Sequence, residues 1–337
     1  MVTAQDVADL AGVSRTTVSY VINGSNLISE PTKKQVMKAV KKLGYHPNLP
    51  ARALAGGKMG FIGVAVRIDS STNIVELYPH LSSIIAETES HNSNVILIPG
   101  QEGIEGIEKV TRQATIDGLL LFDIGLKDDR LSSIESMNLP CVMVGTTEST
   151  TTLPSVDVDY ASIVRQQIDD LIRVGSQEII FVDNKSSDAN CYNFAKAFSI
   201  DGPRYCTSRG ISSSTRYIEN RHWQGIESVT SDIQTWKGRK VGIAIRTPAI
   251  LDLMTASMRF NNLELGKDIP LVAVCADDFA QAQPTPISNI DPLADACSLT
   301  AINILYSMLS GKEQPQLRTL LTPHLQRRKS TASKCYQ

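Results

Sequence analysis

No run of apolar residues in the 337-residue chain approaches the roughly 18 needed to cross a bilayer, so no membrane partner is expected. The N-terminus, Met1-Val2-Thr3-Ala4-Gln5-Asp6, lacks the basic and apolar segments of a secretory signal, and a cytoplasmic location is the expectation. The six cysteines, Cys141, Cys191, Cys206, Cys275, Cys297 and Cys335, never fall at C-x-x-C spacing. Several sit in apolar runs such as Pro140-Cys141-Val142, which suits reduced, partly buried thiols rather than a zinc site or a disulfide framework. The catalytic signatures G-x-x-x-x-G-K-[ST], H-E-x-x-H and G-x-S-x-G are missing, and the five histidines (His46, His80, His91, His222, His324) are scattered. No enzyme activity, no cofactor and no metal are therefore expected. No heptad pattern follows Thr331, so nothing points to a coiled-coil tetramer.

The charge, by contrast, is unevenly spread. Residues 1–60 carry eight bases (Arg15, Lys33, Lys34, Lys38, Lys41, Lys42, Arg52, Lys58) and three acids (Asp6, Asp9, Glu30), a balance of +5. The formal total is −2, so the rest of the chain holds −7. A basic head on an acidic body suits a polyanionic partner, with a solvated basic face as the plainer alternative.

The head reads as three helices. Thr3 can cap the first, with Asp6 at the favourable third position, and Val7, Ala8, Leu10 and Ala11 form an apolar face that Gly12 ends. Ser14 can cap a second helix over Arg15 to Ile22, with Val18, Val21 and Ile22 inward and Asn23-Gly24 as its stop. Ser29-Glu30-Pro31-Thr32 opens a third, with Val36, Ala39, Val40 and Leu43 as its apolar face and Gly44 at its end. Two short helices about a glycine turn with a third across them is the helix-turn-helix plan, in which the second helix enters the DNA major groove. Its outward residues would be Arg15, Thr16, Thr17, Ser19 and Tyr20. An arginine can fork onto guanine, and hydroxyls reach bases or phosphates. A three-helix mini-core without a ligand is the competing reading.

Val7-Ala8-Asp9-Leu10-Ala11-Gly12-Val13-Ser14, Thr17-Val18-Ser19, Val21-Ile22-Asn23-Gly24 and Leu43-Gly44-Tyr45-His46-Pro47-Asn48 resemble the head-piece of the lactose-repressor (LacI–GalR) family, nearly without a gap from Thr3 to Gly63. The resemblance implies a DNA-binding domain over 1–47 and a hinge helix or linker over 48–60. It implies double-stranded operator DNA contacted by Thr3, Ser14, Arg15, Thr16, Thr17, Ser19, Tyr20, Asn23, Asn48, Ala51, Arg52 and Leu54. Asn48 and Pro50 are helix-start residues and Gly56-Gly57 a stop, so the hinge would be about two turns, too short to hold alone in water. The resemblance implies that Leu54 wedges between base pairs in the minor groove, beside Ala51, with Arg52 near phosphate. The family often has Arg after Thr-Val-Ser. Tyr20 stands there instead and cannot make the forked guanine contact.

The body, 61–337, shows short, nearly continuous apolar runs: Phe61–Val66, Asn94–Ile98, Gly118–Phe122, Cys141–Val144, Ile179–Val182, Val241–Ile245 and Leu271–Val274. Helix-length segments such as Tyr160–Val174 and Ala249–Asn261 separate them. Buried parallel strands are the expectation, giving two doubly wound α/β subdomains with a ligand cleft at the carboxyl ends of the strands. The resemblance implies a periplasmic-binding-protein-like α/β body. Its N-subdomain would cover about 61–158 and 288–320, and its C-subdomain about 159–287 and 321–331, with Arg328–Thr331 as a terminal strand. It further implies a homodimer acting as a repressor on a pseudo-palindromic operator.

The cleft departs from the family pattern. Asn190 stands where sugar binders carry Arg, Thr247-Pro248 where they carry Asn-Asp, and Cys275-Ala276 where they carry Asp-Asp. Arg246 is adjacent, and Asp277-Asp278 follow at a shift of two. Asp69, Ser71, Asn73, Asn190, Trp223, Arg246 and Asp277 are the candidate effector residues. Three readings stay open: an unusual small ligand, no small ligand (a protein partner or constitutive binding), or an ordinary sugar. A solute-binding protein or a small-molecule enzyme on the same body is the alternative from another class.

Overall fold

A computed structural model describes residues 2–22, 27–45, 59–69, 72–100, 103–113, 115–184, 191–218, 229, 233, 235–236, 238–311 and 315–332. The head is three helices, α1 (Ala4–Ala11), α2 (Arg15–Ile22) and α3 (Glu30–Leu43). Their ends follow from local chemistry. The Asp6 backbone N–H donates to Thr3 Oγ1 at 3.3 Å while the Asp6 carboxylate accepts the Thr3 N–H at 2.7 Å, a reciprocal cap. Gly12 and Gly44 end α1 and α3 in the left-handed conformation at φ of 62° and 58°, where a side chain would be strained. Ser14 Oγ accepts the Thr17 N–H at 3.0 Å and opens α2. Val7, Ala8, Ala11, Val18, Val21, Val36 and Ala39 make the shared core. Leu10, read from sequence as part of that face, is 44 % exposed: it sits at the margin of the stripe that Val7, Ala8 and Ala11 bury.

The body holds two six-stranded sheets. The first runs β11-β5-β4-β3-β1-β2, all parallel, from β1 (Phe61–Val66), β2 (Asn94–Pro99), β3 (Gly118–Leu121), β4 (Cys141–Val144), β5 (Ser155–Val158) and β11 (Arg318–Leu321). Helices α4 (Ile74–Ser90), α5 (Gly103–Arg112), α6 (Leu131–Ser136) and α12 (Ala294–Leu309) belong to this lobe. The second sheet runs β12-β10-β9-β8-β6-β7, from β6 (Glu178–Asn184), β7 (Ser212–Ile218), β8 (Val241–Ile245), β9 (Leu271–Val274), β10 (Ser288–Ile290) and β12 (Leu325–Gln326), the last antiparallel. Its helices are α7 (Tyr160–Arg173), α8 (Asn193–Lys196), α9 (Gly202–Ser208), α10 (Pro248–Phe260) and α11 (Asp277–Ala282). β3, β4, β8 and β9 are apolar and buried along their whole length, as parallel strands covered on both faces must be. β7 reads Ser-Ser-Ser-Thr-Arg-Tyr-Ile and carries no apolar run, because it is a half-buried edge strand.

Two expected boundaries are corrected. Ser288–Ile290 does not return to the first lobe: it is fully buried in the second sheet, with Ile290 opposite Val274. The crossing comes at 291–293, where Asp291 Oδ1 accepts the Leu293 N–H at 2.8 Å and Leu293 takes φ of 53°. Arg328–Thr331 is not a strand. Lys329–Thr331 forms a 3-10 turn whose hydroxyls reach inward: Ser330 Oγ donates to the Leu271 carbonyl at 2.6 Å, and Thr331 Oγ1 to Asp170 at 2.6 Å. The chain thus crosses between lobes three times, at 158–159, 291–293 and 322–324.

Asp170 fixes the last of these returns. Buried on α7, it also accepts Nε of Arg173 at 2.7 Å and of Arg327 at 2.6 Å. Burial alone would raise its pKa, but these three donors outweigh it and hold the carboxyl below its ordinary 3.8. A group depressed in the folded state stabilises fully above its unfolded pKa and loses that contribution as pH falls through the lower, folded value. Asp170→Asn is therefore expected to destabilise the protein by about 1–3 kcal/mol in urea at pH 7, since both guanidinium groups remain partly in water. That difference should shrink progressively below about pH 4. Equal stabilities of the two proteins at pH 7 would show that the network contributes nothing.

Candidate nucleic-acid interface and inter-lobe cleft

α2 turns Val18 and Val21 inward, which leaves Ser14, Arg15, Thr16, Ser19 and Tyr20 on its outer side. Two expected DNA contacts carry structural work already. Thr3 Oγ1 donates to Asp6 at 2.8 Å, and the Thr17 hydroxyl lies 2.9 Å from that of Ser14. Arg15 forms no ion pair among the described residues. Arg15, Thr16, Ser19 and Tyr20 are thus the exposed set on α2. Asn23, Asn48, Ala51, Arg52 and Leu54, with the whole expected hinge helix, lie outside the described residues. Where the chain enters the body, both oxygens of Asp117 accept backbone N–H groups, from Met59 and Gly60, each at 2.6 Å. The first residues after the linker are thereby clamped to the first lobe.

Between the lobes lies a cleft of about 890 Å³. The carboxyl ends of β3, β5 and β9, the first turns of α4 and the starts of α8 and α11 line it. At its base in the second lobe, Arg246 Nε donates to Asp183 Oδ1 at 2.7 Å, and Ser199 Oγ donates to Asp183 Oδ2 at 2.9 Å. Asp183 is only 2 % exposed. The guanidinium lies 5.0 Å from the Phe194 ring centroid, and Phe194 stacks on Tyr192 at 5.3 Å. Burial works against the charge on Arg246, but Asp183 more than restores it, so its pKa rises.

Asn193 joins the lobes. Its Nδ2 donates to Asp157 Oδ2 at 2.5 Å and to Thr146 Oγ1 at 2.8 Å, both on the opposite lobe. Lys196 pairs with Glu148 at 2.8 Å, and the Leu126 N–H donates to the Cys191 carbonyl at 2.7 Å. Burial raises the Asp157 carboxyl above its ordinary value against the pull of its donors. Burial and the Asp157 charge push the Tyr160 hydroxyl well up, so it stays protonated. On the first-lobe wall His80 Nδ1 lies 2.7 Å from Ser298 Oγ, and burial drives its pKa down to about 4, leaving it neutral near pH 7. The cleft therefore offers a neutral histidine, a protonated tyrosine, an aromatic shelf and an arginine already paired, within a lining that also carries acidic side chains such as Glu76, Asp123, Asp277 and Asp291.

Of the expected effector residues, Asn73, Arg246 and Asp277 line the cleft. Asp69 does not; it sits 3.6 Å from Arg67 outside the lining. Ser71, Asn190 and Trp223 lie outside the described residues. Asp157, Tyr160, Asn193, Phe194 and His80 were missed. Asp157 and Tyr160 flank the end of β5, so the strand-end rule applied at each strand would have found them. Among the described residues, no helix is long and apolar enough to cross a membrane, and no group of three or more His, Cys, Asp or Glu is placed to hold a metal.

Residues 3–48 match the pattern described as "Bacterial regulatory proteins, lacI family". Along 97 % of its length the chain is 28 % identical to the HTH-type transcriptional regulator RegA of Clostridium saccharobutylicum, covering 98 % of that protein. It is also 28 % identical to the catabolite control protein A of Priestia megaterium over 68 % of this chain and 69 % of the relative. In fold it is similar to a crystal structure of the lac repressor dimer bound to operator and the anti-inducer ONPF, with TM-score 0.79 and 20 % identity over 98 % of this chain and 99 % of that one. A transcriptional regulator CelR–cellobiose complex gives TM-score 0.66 at 19 % identity over 98 % of this chain and all of that one.

The Arg246–Asp183 pair yields a test of the cleft's construction. Asp183→Ala leaves a buried guanidinium uncompensated and is expected to cost about 3–5 kcal/mol in urea unfolding. Adding Arg246→Met should recover most of that loss. A double variant as unstable as the single one would show that the charge pairing is not what matters there.

Proposed function

The chain belongs to the lacI family of bacterial regulatory proteins, and from that premise we propose that it represses transcription as a homodimer on a pseudo-palindromic operator, under the control of a ligand in the inter-lobe cleft. It is a DNA-binding transcriptional regulator. The observation that carries the rest is the pairing, in one chain, of a capped three-helix head with an exposed polar α2 face and a two-lobed body around a cleft of about 890 Å³. The dimeric, operator-bound lac repressor of similar fold supports a two-fold arrangement. Arg15, Thr16, Ser19 and Tyr20 read base edges, Thr3, Ser14 and Thr17 set the helix ends against phosphate, and Asn23 and Asn48 add further contacts to DNA. Leu54 and Ala51 wedge the site's centre, with Arg52 on phosphate. The relatives are regulators, not enzymes, and the reading places this protein in the cytoplasm with the DNA.

Binding in the cleft changes the closure of the lobes, which Asn193 bridges to Asp157 and Thr146. The first lobe holds residues 59–60 through Asp117, so its displacement is felt at the linker to the head. The effector class follows the lining: a polar molecule with a flat face for Phe194 and Tyr160, and hydrogen-bond donors for acidic groups such as Asp157, Asp277 and Asp291 beside Asn193 and His80.

Selection of bound duplexes from a random pool by the full-length protein should enrich a two-fold-symmetric site, with affinity falling steeply in salt. Arg15→Ala should relax one base position per half-site by about 1–3 kcal/mol. Leu54→Ala should weaken the selected site far more than random DNA. Enrichment without symmetry would contradict the dimeric reading, and an equal loss on both DNAs in the Leu54 variant would contradict the wedge.

A further inference from the structure

The four exposed positions of α2 fall into two rows. One helical turn separates Arg15 from Ser19 and Thr16 from Tyr20, so each pair stacks along the helix. The rows differ in chemistry. Arg15 and Ser19 present donors and a hydroxyl, whereas Thr16 and Tyr20 present a methyl group and an aromatic ring. Tyr20 is 45 % exposed, and neither Thr16 nor Tyr20 hydrogen-bonds through its side chain to the described residues. Helical side chains lean back over the preceding turn, so the Tyr20 ring covers the surface beside Thr16 and the two make one apolar patch.

Resting on the DNA-binding reading above, we propose that this Thr16–Tyr20 patch reads thymine methyl groups, so that each operator half-site carries an A·T pair there, next to a guanine read by Arg15. In the major groove the thymine C5-methyl is the only apolar feature a base pair presents, and guanine is best read by a fork of two donors. A tyrosine has one hydroxyl and no fork, while its ring edge and the Thr16 methyl match the thymine methyl in size and polarity. The patch therefore discriminates by contact with carbon, and the Arg15–Ser19 row by hydrogen bonds.

The test replaces each thymine of the selected duplex by uracil, one at a time, which removes the methyl and leaves every hydrogen-bonding group in place. Full-length wild-type protein should lose about three- to five-fold in affinity at one or two positions per half-site, the worth of one buried methyl. Tyr20→Ala should abolish that sensitivity at one position, and Tyr20→Phe should retain it. Tyr20→Arg should shift the preference there towards guanine. Circular dichroism melts of each variant should match wild type, because the ring lies outside the head's core. Uracil tolerated at every position, or sensitivity unchanged in both Tyr20→Ala and Thr16→Ala, would overturn the proposal while leaving DNA binding intact. Failure of the wild-type protein to select any duplex would overturn the DNA-binding reading on which it rests.

Discussion

Parallel sheets must bury both faces, and this requirement shapes the body. Six strands in each sheet draw helices to both sides, and each sheet then closes on its own apolar clusters. Two such cores cannot fuse without burying the polar carboxyl ends of their strands, so the chain keeps them apart and crosses between them three times. The gap that remains is the cleft. Its polar residues are held by specific partners: Asp183 by Arg246 and Ser199, Asp157 by Thr146 and Asn193, His80 by Ser298. Such groups retain hydrogen-bonding capacity inside a protein only when a partner fixes them.

The head obeys a different constraint. Its core, seven buried residues among those described, is too small to stabilise it by burial alone, so caps at Thr3 and Ser14 and left-handed glycines at 12 and 44 define where each helix starts and stops. The same economy fixes what α2 exposes. With Val18 and Val21 committed inward on a helix of eight residues, the outer positions face solvent.

The sequence made the strands easy to read, because an unbroken apolar run bounded by helix-length polar segments has few other uses. Phe61–Val66 and Val241–Ile245 lie where that pattern puts them. The head was equally legible, since capping residues and glycine stops are local signals. What escaped is non-local. The edge strand β7 has no apolar run because only part of it is covered. The crossing at 291–293 turns on one left-handed leucine and one aspartate cap, which no periodicity marks. Residues 329–331 are turned inward by Asp170 and the Leu271 carbonyl, more than 50 residues away in sequence. In the cleft, Asp69 looked like a polar loop residue facing ligand but faces Arg67. Tyr160 and Phe194 line the cavity because their helices begin at its edge, which no local pattern marks.

On the function proposed above, the state of the cleft and the state of the head are coupled through the first lobe. Coupling is reciprocal, so DNA on the head must register in the cleft as surely as a cleft ligand registers on DNA. Backbone hydrogen exchange of the full-length protein, with and without its selected duplex, measures this directly. Coupled sites must show slowed exchange in α2 together with a change in β5 and α8, which meet at Asp157 and Asn193. Protection confined to residues 2–45, with the exchange of β5 and α8 unaltered, would contradict it.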